Sequence, residues 1–329
     1  MYRESTESVG LMTLNTYYQD RRYANKKLMF LFNAKEKAKG FSTLLKNVAK
    51  IGKQGFPQTW LQIRAFFCPR LIIDHYLPYE FDHRAEIDYQ PRHTEWTGRI
   101  AVYTSVFGNY DQIAQPLFQS PLCDYYAITD QELPPDGIWK KYDTSSIPGF
   151  DEMDAYHKSK YCKMFPHILF PDHAYSVWMD GNVLSVADPV PLVDRMDDRH
   201  FMATFHNPLH DCIYTEARYI IVQGFAKVQE LERQIACYRQ EGFPAQFGMR
   251  EFSVIVRRHH DPVCVDLMEQ WWTQVNTYTM RDQISFPYLL WKNGRTIDTV
   301  QLLGKNWRHN PRFICRLHNW HIRYVGNKS

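Results

Sequence analysis

The sequence predicts an α/β fold, a mixed sheet flanked by helices, and three observations carry that prediction. Residues 174–179 form a run of six side chains without formal charge, the pattern of a strand covered on both faces. Further β-type runs stand at residues 99–104, 124–128, 201–206 and 248–258. Stretches with apolar residues at helical spacing lie between and after them, the alternation expected of a sheet covered by helices.

Composition bounds the class. At 329 residues the chain can hold one large α/β domain plus an accessory segment. Charged residues at 23% and hydrophobic ones at 44% describe an ordinary folded protein. Seven cysteines, an odd count without Cys-x-x-Cys spacing, argue against a disulfide framework or a zinc site and for a reducing compartment. Arg3, Glu4, Glu7 and Asp20 interrupt the amino-terminal stretch, so no secretory leader is expected there. No apolar segment approaches bilayer-spanning length. The expected location is cytoplasmic, with a peripheral position on the inner face of the membrane suggested by the charge distribution.

Residues 1–98 carry 15 Lys/Arg against 10 Asp/Glu, whereas the remainder carries 24 against 26. The excess concentrates in residues 21–64, where eleven Lys/Arg and a single acid, Glu36, interleave with Leu28, Phe30, Phe41 and Trp60. This predicts a basic helical extension and connector over 1–98, broken at Gly52, Gly55 and Pro57. Such helices can lie on an anionic membrane surface, Lys heads at the headgroups and rings in the acyl boundary. The alternative is an extension packed on the domain with a solvated Lys face; no nucleic-acid motif accompanies the charge, so nucleic acid is not expected as a partner.

The sheet domain is expected over residues 99–300, with 301–329 as a tail wrapping over it. Its first strand runs through Thr104 into a loop with Phe107 and Gly108, where a glycine lets backbone approach a nucleotide closely. The second strand ends near Asp130, a carboxylate placed to accept from a base or ribose, or a plain turn residue.

A helix is predicted over residues 152–165. At about 100° per residue, Met153, Tyr156, Lys160 and Met164 share one side, so Lys160 sits in the apolar stripe. A lysine there needs an anionic partner, either a structural carboxylate or a diphosphate. Lys163, on an adjacent face, is the nearest alternative.

The strand at 174–179 ends in Asp180-Gly181-Asn182, which in isolation is a strong hairpin signal. What gives it chemical interest is the company of the Lys helix before it and of polar groups after it. His206 closes the next strand, and Glu216 stands in the first turn of a long helix, capped by Thr215 and ending at Gly242. His259-His260 follow the strand at 248–258; neighbours on extended chain point to opposite sides, so at most one faces a given metal, and a surface pair is the plain alternative. Arg281-Asp282-Gln283 place an acid at a helix start, as an N-cap or as a working carboxylate.

In their order, Tyr103-Thr104 to Asp111, Lys160-x-x-Lys163-Met164-Phe165-Pro166-His167, Trp178-Met179-Asp180-Gly181, His206 to Glu216, the 248–257 strand, Trp271-Trp272 and Arg281 to Phe286 resemble a known family. It is the glycosyltransferase-like family that includes plant proteins of seed mucilage and cell-wall synthesis and bacterial polysaccharide-cluster enzymes. The resemblance spans residues 99–292, about 60% of the chain, and the layout is more distantly similar to glycogenin-like transferases.

This resemblance implies a GT-A-type, Rossmann-like fold and transfer of a sugar from a nucleotide-sugar donor, UDP-linked, to a glycan or lipid-linked glycan acceptor in surface polysaccharide synthesis. On the matching positions it assigns Thr104, Phe107, Gly108, Asp130, Lys160, Lys163, Asp180 and Gly181 to the donor, and His206, Arg281 and Gln283 to the acceptor or donor sugar. In an inverting enzyme Asp282 is the first candidate for the acceptor's base and Glu216 the second; in a retaining one the same groups would position the donor sugar or stabilise the oxocarbenium-like transition state. Mn²⁺ or Mg²⁺ would sit on Asp180 and Asn182 with His259 or His260. GT-A enzymes usually carry Asp-x-Asp here; Asn182 is a weaker ligand, and the departure shifts leaving-group stabilisation toward Lys160. Asn182 and the basic segment also make a second class credible, a catalytically silent glycan-binding or scaffold module at a membrane.

Overall fold

The computed structural model describes residues 56–68, 71–72, 74, 98–316 and 318. Most of the basic stretch at 21–64 lies outside the described residues. In chain order the elements are α1 Phe56–Phe67, β1 Ile100–Val106, β2 Cys123–Thr129, β3 Lys140–Lys141, α2 Ala155–Met164, α3 Pro166–Leu169, β4 Tyr175–Met179 and β5 Val183–Ser185. They continue with α4 Val190–Asp194, β6 Met202–His206, α5 Ile213–Gln223, α6 Val228–Gln240, β7 Arg250–Arg257, α7 Pro262–Thr277, α8 Asp282–Lys292, β8 Gln301–Gly304 and β9 Phe313–Cys315.

Seven strands form one mixed sheet in the order β3-β2-β1-β4-β7-β6-β8, and β5 pairs with β9 apart from it. β1 runs parallel to β2 and β4, and β7 is antiparallel to β4 and β6. The fold is thus mixed α/β, as the strand and helix pattern predicts. β1 and β7 are buried along their whole length, which explains their near-continuous apolar sequences. Alternate residues divide between two cores: Tyr103, Trp178 and Ile255 pack with Met164, Trp271 and Phe286 on one face. Val102, Val177 and Val256 pack with Leu192, Trp307 and Phe313 on the other.

The strand order locates the crevice. Strands β2 and β3 extend the sheet from one side of β1 and β4 from the other, so the topology switches at β1 and β4. Open α/β sheets bind ligands outside the carboxyl ends of strands at such a point. Phe107 and Gly108 follow β1 there, and Asp180 follows β4.

Three predicted features are corrected by tertiary packing. The helix predicted over 152–165 begins at Ala155, because Asp154 accepts hydrogen bonds from Tyr156 N and His157 N as its N-cap. The long helix predicted from Thr215 to Gly242 is two helices, divided at Gly224, whose left-handed φ of 70° ends α5. Thr215 is not its cap; Cys212 is, and the Asp74 carboxylate accepts from Asp211 N at 3.1 Å and Cys212 N at 3.0 Å.

The described parts of the amino-terminal extension are packed on the sheet domain. Gln62 Nε2 donates to Val222 O at 3.0 Å, Ala65 is buried, and His210 Nε2 donates to Ile72 O at 2.6 Å. Residues 56–74 therefore follow the packed alternative where they are described. At the other end, β8 joins the main sheet, so the expected tail is in part a strand of the domain. Among the described residues no helix is long and apolar enough to cross a membrane.

Burial also sets an acid limit on stability. Desolvation pushes the His259 imidazole down to about 3, while its Nε2 donates to Phe170 O at 3.1 Å. Burial lowers His309 to about 4. Both are depressed below the unfolded value of about 6.5, so their stabilisation is complete above that pH and declines toward the folded values, by about 1.4 kcal/mol per pH unit for each at most. Chemical denaturation between pH 7 and pH 4 should show stability falling with acid, and His259→Gln should flatten the slope. An unchanged slope in that variant would refute the assignment.

Candidate active site

Four charged residues meet at the switch point. Helix α2 runs beside β1, with Ser159 Oγ accepting from Ser105 Oγ at 3.0 Å, and delivers Lys160 and Lys163 below the crevice. Helix α8 begins at Asp282. The Asp282 Oδ2 atom lies 2.7 Å from Lys160 Nζ and 2.8 Å from Lys163 Nζ, and Lys163 Nζ is also 3.4 Å from Asp180 Oδ1. Trp178 Nε1 donates to the same Asp180 oxygen at 2.8 Å. Asp180 Oδ2 has no hydrogen-bond partner among the described residues, and its side chain is 35% exposed.

The two lysines differ in depth. Lys163 is the buried one, with 4% of its side chain exposed against 14% for Lys160. The helical stripe pointed to Lys160, but tertiary packing places Lys163 deeper, since α7 packs against α2 and Asp282 closes the space above the lysine. Burial alone would lower the Lys163 ammonium, yet Asp180 and Asp282 outweigh it and raise its pKa. Burial would likewise raise Asp282, but Lys160 and Lys163 hold its carboxyl well below the usual range. In this structure Lys160 pairs with the Asp282 carboxylate.

Arg257 holds the end of α2 from the far end of β4, and no sequence signal used above found it. It is fully buried; its Nη1 donates to Lys163 O at 2.6 Å and its Nη2 to the Tyr103 hydroxyl. A guanidinium at the carboxyl end of α2 satisfies an orphan carbonyl and complements the helix dipole. Period-two spacing from Ile255 shows the signal that was available: a charged residue on a core-facing position of an apolar strand.

Other expected positions scatter. Gly108 N donates to Asp130 Oδ2 at 2.8 Å, which ties the loop after β1 to the end of β2. Phe107 packs edge-on to Phe150, with centroids 5.9 Å apart. Thr104 is buried within β1 on the face away from α2. Gly181 is required for close approach, because a Cβ there would collide with Val106 Cγ2. Gly181→Ala should therefore cost about 1–3 kcal/mol of stability, read by denaturant unfolding; wild-type stability would contradict the close approach.

His206 ends β6 at the same sheet edge as Asp180, two strand spacings or about 10 Å across. Its Nδ1 donates to Asn207 O at 2.6 Å. The Arg281 guanidinium stacks 5.2 Å from the Phe225 ring centroid, and Gln283 is half-buried beside Asp282. Glu216 does not reach this cluster as an open base; it is buried in an ion pair with His210 Nδ1, which spends it on holding α5 to the Ile72 segment.

The metal ligand set does not assemble. Arg257 pairs with Ser176 and His259 lies beyond it, so the histidine pair stands at the opposite end of β4 from Asp180, about 17 Å away along five residues. His259 is buried against Phe170 and His260 is exposed. The Asn182 amide lies 4.0 Å from Cys315 Sγ, and the Lys163 ammonium stands against Asp180 Oδ1. Among the described residues no group of three or more His, Cys, Asp or Glu could hold a metal ion. The donors present fit ammonium ions at this turn, not a protein-built cation cage.

Comparison with known proteins follows the same outline. Residues 127–308 match the family described as TOD1/MUCI70, glycosyltransferase-like domain. Over 215 residues the chain is 26% identical to the Arabidopsis thaliana protein called Probable hexosyltransferase MUCI70, a match covering 57% of this chain and 36% of that one. The solved apo structure of the WbbM bifunctional glycosyltransferase is similar at 12% identity with a TM-score of 0.38, over 65% of this chain and 40% of that one. The matches therefore span well under half the length of either relative.

Proposed function

Because the chain belongs to the TOD1/MUCI70 glycosyltransferase-like domain family, we propose that it transfers a hexosyl group from a nucleotide-sugar donor, UDP-linked, to a glycan acceptor. The observation that supports this most is the Lys160, Lys163, Asp180 and Asp282 cluster at the switch point. A nucleotide diphosphate leaving group gains negative charge as the glycosidic bond breaks, and fixed ammonium ions in a partly dry crevice stabilise that charge.

The residues divide the work by depth. Lys160, the more exposed ammonium, turns from Asp282 to the diphosphate when donor binds. Lys163 remains with Asp282 and Asp180 and keeps the acidic turn in place. Asp180 uses its open oxygen to accept from the ribose or donor sugar. Asp282, bracketed by two ammonium ions, binds a proton too weakly to serve well as the acceptor's base, so its role is to place both lysines. A glycan acceptor of surface polysaccharide type fits the family.

Calorimetric titration of the full chain with UDP and GDP, each with Mn²⁺ and with EDTA, tests the reading. UDP binding that persists in EDTA and disappears in an Asp180→Ala variant that still folds is the expected result. A folded wild-type protein that binds neither nucleotide would overturn it in favour of a silent glycan-binding module.

The basic residues of 21–64 are proposed to hold the protein on an anionic membrane surface. Deleting residues 1–55 keeps α1 intact. It should abolish sedimentation with phosphatidylserine vesicles; unchanged sedimentation would contradict the anchor.

A further inference from the structure

The carboxyl-terminal segment touches both walls of the switch-point crevice. β9 pairs with β5 directly after the acidic turn, Cys315 opposite Val183. Arg316 N then donates to Asn182 O at 2.8 Å, while its Nη1 donates to Gln112 O at 2.6 Å. His318 Nδ1 lies 2.6 Å from Asp111 Oδ2, and its ring centroid is 5.2 Å from that of Tyr110. Asn182 belongs to the turn after β4, and Tyr110, Asp111 and Gln112 to the loop after β1. One short segment thus spans the two loops between which the crevice opens, and it lies beyond the residues 127–308 that match the family.

We infer that Arg316 and His318 are positioning residues of the nucleotide site, holding the loop after β1 against the acidic turn at the spacing the donor requires. The loop needs such a tie. Gly108 and Asn109 adopt positive φ values of 64° and 54°, and Gly108, Asn109 and Tyr110 are exposed, so packing alone holds them weakly. Ordering a residue costs about 1–2 kcal/mol of backbone entropy, and a loop ordered before binding spares the ligand that cost. Asp111 O also accepts from Gln131 Nε2 at 2.6 Å, which leaves the segment between Gly108 and Gln112 anchored to β2 on one side and to the carboxyl-terminal segment on the other. Arg316 joins the same loop to Asn182 through backbone and side chain at once, a geometry that a residue serving β9 alone would not need.

This inference rests on the nucleotide reading above. The test uses the full chain carrying Arg316→Ala, His318→Ala, both together, and Arg316→Lys, with UDP titration and hydrogen exchange of peptides covering 107–112 and 180–185. Each single change should weaken UDP binding by about 3- to 10-fold, the loss of one net hydrogen bond, and the pair by more. Exchange should rise at 107–112 and stay at wild-type rates in β5, and Arg316→Lys should restore part of the affinity. Unchanged UDP affinity in the double variant overturns the inference, whether or not exchange rises. Wild-type protein that binds no UDP overturns the nucleotide reading itself, and this inference with it.

Discussion

Asp282→Ala is expected to lower folding stability by about 3–5 kcal/mol, the cost of leaving a buried charge without its partner. The change strands Lys163, which is 3% exposed, with Asp180 at 3.4 Å as its remaining carboxylate. It also frees Lys160, whose closest ion pair is with Asp282 at 2.7 Å. The pH dependence distinguishes this cause from simple loss of packing. The Asp282 carboxyl titrates far below its unfolded value, so its stabilisation is present above about pH 4 and is lost as pH falls through the folded value. Lys163 is raised, so its stabilisation is complete below about pH 10 and is lost as pH rises through the folded value. Between those limits the cluster is fully charged. The difference between wild type and Asp282→Ala in denaturant unfolding should therefore be largest at neutral pH and shrink below about pH 4, whereas loss of packing alone would leave it the same at every pH. A difference under 1 kcal/mol would show that the cluster is not buried as described.

Lys160→Ala should produce the opposite pattern, a loss of sugar transfer by about 10²- to 10³-fold with little change in melting temperature. Asp282 keeps its 2.8 Å contact with Lys163 in that variant, so no carboxylate is stranded. Lys163→Ala should lose both activity and stability, because the deeper ammonium also secures Asp180. The comparison between the two lysines is the informative one. Full turnover of donor in Lys160→Ala would remove it from the leaving group and leave the cluster a structural one. A melting temperature lowered as much as in Lys163→Ala would mean that depth does not divide their roles.

Arg257 shows why part of the support beneath this site stays silent in the sequence. Its value comes from a carbonyl, Lys163 O, at the end of a helix nearly a hundred residues earlier in the chain. Nothing local marks that partnership beyond a charge on an inward-facing strand position. Glu216 shows the converse: a first-turn acid looked available for chemistry, and the Ile72 segment, through His210, had already engaged it.

The sequence by itself determined the alternation of strands and helices, the uncharged strand that ends at Asp180, and the helix that carries Lys160 and Lys163. Those are local properties, set by side-chain period and by caps and breakers within a few residues. Only the tertiary structure decided which lysine lies deeper, which carboxylate joins them, and that His259 and His260 stand at the far end of β4 from Asp180. Ion pairing and burial depend on where separate elements cross. A helix start at Asp282 reaches Lys160 and Lys163 because α8 packs on β7 and on α7, which itself packs against α2, a relation that no spacing along the chain encodes.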